Sequence, residues 1–250
     1  MESSVIIETE ELTKTYNNEL AVDRLTLTVN DGEIFGFLGP NGAGKTTTLL
    51  MLLGLTEPTS GKAKVLGLNP TRDPIKVKSK IGYLQENMGF YNDLNGVQML
   101  RFVAELNGLS GREVEERIES ALETVGLAAE SGKKIDAYSR GMRQRLGIAE
   151  LLIKDSKVAF LDEPTLGLDP DATNRMMALI ESLCRDKKMT ILLSSHMLHQ
   201  VQKICHRVGI MIKGRMVAQG PMDRLAEEKL GIGQETYSLE EIYMKYFQEA

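Results

Sequence analysis

The 250-residue chain has only two cysteines, Cys184 and Cys205, and neither has a close CxxC partner. They read as reduced, packed thiols of a cytosolic protein rather than as a disulfide framework. Positive charge is not in excess: 30 Lys and Arg face 35 Asp and Glu, a net charge of −5. That balance argues against a dedicated nucleic-acid binder. No window reaches 18 apolar residues, so no segment is expected to span a membrane and any membrane role needs a partner. The opening run MESSVIIETEEL lacks a basic start and a long apolar core, and no signal peptide is expected there. There is no internal repeat and no low-complexity linker. Asn69-Pro70 and Gly108–Gly111 are too short to separate independent domains. What remains is an ordinary globular composition, 42% hydrophobic and 26% charged, long enough for one large or two small domains.

Short runs of Val, Ile, Leu and Phe alternate with helical patterns. The expected strands are Val5–Glu10, Leu25–Val29, Ile34–Leu38, Lys62–Leu66, Ile81–Leu84, Val158–Leu161, Thr190–Ser194, Arg207–Ile212 and Met216–Ala218. Continuous apolar runs such as Val158–Leu161 and Ile191–Leu193 suit strands buried on both faces of a mostly parallel sheet. Residues 93–155 hold no convincing strand. Val114, Ile118, Leu122 and Val125 make one stripe of an amphipathic helix there, so this stretch reads as a helical insertion into an α/β core.

Residues 39–46 read GPNGAGKT, after the apolar run 34–38 and before the largely apolar stretch 47–55. This is G-x-x-x-x-G-K-[ST] at a strand-to-helix turn. Gly39, Gly42 and Gly44 let the backbone bend and aim N–H groups at phosphate oxygens. The positive end of the next helix faces the same anion, Lys45 adds a charge for the terminal phosphates, and Thr46 offers a hydroxyl to Mg²⁺. A plain Gly-rich turn is the structural alternative. On this reading the chain binds a nucleoside triphosphate.

The run Val158–Leu161 ends in Asp162 and Glu163. Ligands of open α/β sheets sit at the carboxyl ends of strands, so Asp162 is placed to hold Mg²⁺, usually through water, and Glu163 to orient or deprotonate the attacking water; two solvated acids at a strand end are the alternative. His196 follows the expected strand 190–194 at the same edge, where a neutral imidazole could contact the γ-phosphate and the water; a plain surface or core histidine is the alternative. Gln85 ends the run Ile81–Leu84, where its amide could approach metal or water; taken alone it fits an ordinary polar loop residue better. In Tyr138-Ser139-Arg140-Gly141-Met142-Arg143-Gln144-Arg145, Ser139 is a good N-cap for a helix whose start is an anion site. The arginines there also fit a solvated surface.

Together these motifs resemble the ATP-binding subunit of an ATP-binding cassette (ABC) transporter across essentially the whole chain. GPNGAGKT resembles its Walker A motif, VAFLDE its Walker B, Gln85 its Q-loop and His196 its H-loop. Tyr16 resembles the residue that stacks on adenine, and Asp169 in Leu166–Asp169 the acid of the D-loop. YSRGM stands where that family carries Leu-Ser-Gly-Gly-Gln; Ser139 and Gly141 match, while Tyr138, Arg140 and Met142 depart. The resemblance implies an α/β fold: a P-loop NTPase core with a mostly parallel sheet, an antiparallel β subdomain and an inserted α-helical subdomain. It implies one domain over 1–250, with core and β subdomain in 1–92 and 156–220, helices in 93–155 and a helical tail in 221–250.

It also implies an ATPase using ATP and Mg²⁺. Glu163, His196, Gln85 and Lys45 would be catalytic, and Thr46, Gln85 and Asp162 would hold the metal. Tyr16, Gly39, Pro40, Asn41, Gly42, Ala43, Gly44, Lys45, Thr46, Thr47, Ser139, Gly141 and Asp169 would bind nucleotide. Two such subunits, copies or relatives, would sandwich two ATP molecules and drive a separate integral membrane subunit from the inner face of the cell membrane. No nucleic-acid partner is expected.

Tyr-Ser-x-Gly-Met-x-Gln-Arg resembles the branch that powers drug, antibiotic or lipid exporters. An importer ATPase or a non-transport cassette ATPase are the alternatives. The tail residues Leu239, Ile242, Tyr243, Tyr246 and Phe247 form one apolar helical face, for this chain's own core or for a partner. Met88, Phe90, Tyr91, Leu94 and Met99 are read as a docking groove for the membrane subunit, with a local core as the alternative.

Overall fold

The computed structural model describes residues 4–230 and 237–249; residues 1–3 of the opening run read for a leader, 231–236 and 250 lie outside it. The strands are β1 (Val5–Tyr16), β2 (Glu19–Asn30), β3 (Ile34–Leu38), β4 (Ser60–Val65), β5 (Ile81–Leu84), β6 (Val158–Asp162), β7 (Thr190–Ser195), β8 (Arg207–Ile212) and β9 (Arg215–Gly220). The helices are α1 (Lys45–Leu52), α2 (Pro74–Lys78), α3 (Gly96–Leu106), α4 (Arg112–Thr124), α5 (Arg140–Ile153), α6 (Pro170–Lys187), α7 (Leu198–Ile204), α8 (Met222–Leu230) and α9 (Leu239–Glu249).

A six-stranded sheet runs β5-β6-β7-β3-β8-β9, all parallel except β9. β3, β6 and β7 are buried along their whole length, which is why they read as continuous apolar runs. Alternation along β3 feeds two separate cores. Ile34 and Leu38 join the cluster formed with α3–α6, while Phe35 and Phe37 join the cluster beneath α1 and the second sheet. That second sheet is antiparallel, in the order β2-β1-β4.

β1 and β2 are each 12 residues long, at least twice the expected runs Val5–Glu10 and Leu25–Val29. They meet in a hairpin with Tyr16 opposite Glu19, and Asn17 and Asn18 both have positive φ (47° and 68°). Asn tolerates that conformation, so the pair makes a two-residue turn matched to strand twist. Register shifts between Thr9 and Thr15 break the alternation that marks a strand in sequence.

In the stretch 93–155 the described residues form no named strand. Asn95 caps α3 in a capping box with Gln98. The stripe Val114, Ile118, Leu122 and Val125 is buried along α4 and its C-cap. α5 lies against β5 through two glycines: a Cβ on Gly147 would stand 2.4 Å from Leu84 Cδ1, and one on Gly82 2.5 Å from Leu151 Cδ2. No helix of the described residues is long and apolar enough to cross a membrane.

The tail face packs on the chain itself. Leu239, Ile242 and Tyr246 are buried, and Tyr243 is half-buried and stacks on the exposed Phe247 at 6.0 Å. The expected docking segment divides. Met99 is buried and Met88, Phe90 and Leu94 pack half-buried on the core, whereas Tyr91 is 57% exposed and meets Phe102 edge-on. Cys184 and Cys205 are unpaired and buried.

Candidate functional site

The loop 39–44 leaves the carboxyl end of β3 at the centre of the sheet and enters α1 through Gly44, whose φ of 102° suits glycine. Neighbouring backbone leaves no room for a side chain at Gly44 or Gly39. A Cβ on Gly44 would stand 2.4 Å from Ala21 O, and one on Gly39 2.3 Å from Met211 O. The loop is braced from below: Gly214 N donates to Ala43 O (3.0 Å) and Asp23 N to Gly214 O (2.8 Å), tying it to the β8–β9 turn and β2. Pro40 O accepts from Ala43 N, while Asn41, Gly42 and Thr46 face solvent and Thr47 is half-buried.

Lys45, buried as the first residue of α1, donates to Gly39 O (2.7 Å) and Pro40 O (3.2 Å) and lies 3.7 Å from Glu163 Oε1. Burial pulls its ammonium below the usual lysine range, against the pull of Glu163 and Asp162. Thr46 Oγ1 donates to Asp162 Oδ2 at 3.0 Å. Asp162 is 3% exposed, and its Oδ1 accepts from Ser194 Oγ on the adjacent strand.

Glu163, 7% exposed, has left-handed backbone (φ 49°), uncommon for a side chain of this size. Its N–H donates to Ser194 O (3.1 Å) and Ser194 Oγ (3.3 Å), which fixes the turn just past β6. His196 Nδ1 lies 2.9 Å from Glu163 Oε2, a contact in which the ring N–H donates. Glu163 Oε1 accepts no hydrogen bond among the described residues. A buried carboxylate oxygen left open beside a buried ammonium is poised for a ligand.

The structure therefore brings Lys45, Thr46, Asp162, Glu163 and His196 to one edge. Gln85 follows β5 at the outer end of that edge, exposed and with no hydrogen bond among those of the described residues. Tyr16 stands apart, at the end of β1 in the antiparallel sheet, 43% exposed with Lys14 Nζ 4.8 Å from its ring centre.

Ser139, Gly141 and Asp169 gather elsewhere, around a cleft of about 130 Å³ that includes no residue of 39–47. Ser139 caps α5 by accepting from Met142 N, and Asp169 caps α6 by accepting from Ala172 N. Arg140 covers Gly167 in that cleft. The other two arginines act within the fold: Arg143 donates to Asn92 Oδ1, and Arg145 to the carbonyls of Val125 and Gly126 just past α4.

Two neighbours of the site were not singled out from sequence. Ser194 pairs in register with Asp162 across β6 and β7; a polar residue at the matching end of a neighbouring buried strand is the signal that marks it. Tyr83 on β5 faces Asp162, and burial, with that carboxylate adding to it, pushes the phenol up to about 12. Nothing distinguishes Tyr83 from a packing residue in an apolar strand.

The profile of the family described as ABC transporter matches residues 22–166, more than half the chain. The bacitracin transport ATP-binding protein BcrA of Bacillus licheniformis is 41% identical over 222 residues, 89% of this chain and 72% of that protein. A solved ATP-binding subunit of an ABC transporter superposes with a TM-score of 0.85 at 28% identity, over 97% of this chain and 99% of the other. A dimeric ATP-binding cassette, MJ0796, solved in a post-hydrolysis state with ADP and Pi, shares the fold, with a TM-score of 0.78 at 22% identity over 86% of this chain and 98% of that one. With a loop of the phosphate-binding pattern and two buried carboxylates at the sheet edge, the chain belongs to the ABC transporter family as an ATP-binding subunit.

Proposed function

We propose that this chain hydrolyses ATP at the edge formed by residues 39–47, Asp162, Glu163 and His196, and that the hydrolysis powers export by a separate membrane subunit. The observation that carries the reading is Glu163: buried, held at Oε2 by His196 and open at Oε1. A carboxylate so fixed is prepared to take a proton from a water molecule attacking the γ-phosphate. Lys45 exchanges its loop carbonyls for phosphate oxygens, and the N–H groups of 39–47 cradle the same anion. Thr46 and Asp162 supply hard oxygen donors that suit Mg²⁺. Bound there, the ion would neutralise charge on the β- and γ-phosphates. Gln85 extends that edge toward metal and water, and Tyr16 stacks on the base.

Ser139, Gly141 and Asp169 belong to the same reading through a second subunit. Their cleft is separate from the P-loop of their own chain, so each set serves a nucleotide held by the other copy. The division into a nucleotide core, helices at 93–155 and a tail from 221 follows from this reading. The membrane subunit meets the segment after β5, where Tyr91 is exposed. The named relative's bacitracin transport favours an antibiotic, drug or lipid as cargo over import.

Glu163→Gln tests the proposal. The variant binds ATP, releases almost no phosphate, and elutes as a dimer on size-exclusion chromatography only when ATP is present. Phosphate release at the wild-type rate overturns the role of Glu163.

A further inference from the structure

Two hydroxyls from two different elements donate to Asp162. Thr46 Oγ1 from α1 donates to Oδ2 and Ser194 Oγ from β7 donates to Oδ1. A third hydroxyl, that of Tyr83, faces the same carboxylate from β5. In the parallel β5–β6 ladder Tyr83 stands opposite Phe160, and both pack in the same apolar cluster, on the α1 side of the sheet. Asp162 lies two residues beyond Phe160, so strand alternation puts it on that same side as the diagonal neighbour of Tyr83. A tyrosine ring spans such a diagonal, and its hydroxyl is the side-chain donor facing Asp162 from β5.

We infer that Tyr83 is a positioning residue for the metal-binding carboxylate: its hydroxyl fixes Asp162 in the orientation from which it takes Mg²⁺. The inference rests on the proposed metal role of Asp162. A metal held there would draw on the oxygens of Thr46 and Asp162. Ser194, which donates to Oδ1, and Tyr83, which faces the carboxylate from β5, would then orient it, one from each neighbouring strand. Outer partners of this kind set ligand direction and basicity, and their loss costs roughly 10–100-fold in metal affinity. The ring keeps its place in the apolar cluster without the hydroxyl, so packing and positioning separate cleanly in Tyr83→Phe.

The test compares wild type, Tyr83→Phe and Asp162→Asn, each as the full chain. Binding of a fluorescent ATP analogue is measured in EDTA and across a Mg²⁺ titration, with the melting temperature as control. The expected result for Tyr83→Phe is unchanged binding in EDTA, an unchanged melting temperature, and a half-saturating Mg²⁺ concentration raised about tenfold. An unchanged Mg²⁺ midpoint overturns the inference. So does a large fall in melting temperature with nucleotide lost equally in EDTA, because the hydroxyl is then structural. If Asp162→Asn loses its Mg²⁺ dependence while Tyr83→Phe keeps the wild-type midpoint, only the inference about Tyr83 fails. If Asp162→Asn also titrates as wild type, the metal role of Asp162 itself is wrong.

Discussion

The two ends of the parallel sheet both bury charge, and they treat it differently. At the amino end Glu33 accepts from Asn30 N (2.7 Å), Asn30 Nδ2 (3.3 Å) and Arg207 Nη1 (2.9 Å). Beside it Thr190 Oγ1 accepts from Gly32 N and donates to Asp31 Oδ1, while His206 Nδ1 accepts from Ile34 N. Each of these groups has its partner, so the network closes the sheet. At the carboxyl end Lys45 folds back on its own loop, Glu163 keeps one oxygen open, and its backbone is left-handed. A satisfied buried network rigidifies; an unsatisfied one in strained backbone stores the capacity to bind.

The largest expected effect tests the open end. Glu163→Gln lowers phosphate release by about 10²–10⁴-fold with nucleotide affinity kept, the range for loss of a positioned general base. Next comes the closed end. Arg207→Met leaves Glu33 buried without its cation and destabilises by about 2–4 kcal/mol, below the figure for a fully buried pair because Arg207 keeps some solvent contact. Urea unfolding reads that loss, and turnover per folded molecule stays at the wild-type value. A drop in turnover as large as that of Glu163→Gln would erase the distinction between the ends.

The open end was legible in sequence because its residues punctuate strands. The glycine-rich loop 39–44, the pair Asp162-Glu163 and His196 each follow an apolar run whose limits are set by burial on both faces, and β3, β5 and β8 have the expected bounds. The half-buried hairpin β1–β2 was only half visible, because register shifts break its alternation and its turn uses Asn17-Asn18 without glycine. Ser194 and Tyr83 carry no punctuation, since Ser and Tyr occur in buried strands for packing. Arg143 and Arg145 fitted a charged surface, yet they hold Asn92 and the carbonyls beyond α4. Which side chains close on each other is a property of register and helix placement, and composition does not carry it.

A smaller effect belongs to the exposed Tyr16 at the end of β1 in the antiparallel sheet. Tyr16→Ala weakens ATP and GTP alike, by about 1–3 kcal/mol if stacking carries the contact. Tyr16→Phe, which keeps the ring, binds both as wild type. Nucleotide binding by fluorescence checks this, and a loss confined to ATP would mean that adenine is read by hydrogen bonds instead.

An unsatisfied buried atom also lies away from either end of the sheet. Glu150 lies within α5, and its Oε1 has no hydrogen-bond partner among the described residues. Lys154, one turn on, donates instead to the carbonyls of Lys78 and Ile81. Burial pushes Glu150 up to about 7, and Lys154 offsets only part of that. A carboxyl whose folded pKa lies above its unfolded value stabilises the protein while protonated, and that stability is lost as pH rises from about 4.5 to about 7. Above pH 7 the full cost remains. Glu150→Gln removes a charge that the site does not satisfy, so it stabilises the protein at pH 8 by about 1–3 kcal/mol. The gain shrinks as pH falls and vanishes near pH 4.5. Urea unfolding of both proteins at pH 6 and pH 8 reads the difference, with ATPase activity expected to be equal. Lost activity without a pH-dependent gain would show that an open buried atom matters for function even inside a helix, and that position at the sheet edge is not what makes Glu163 special.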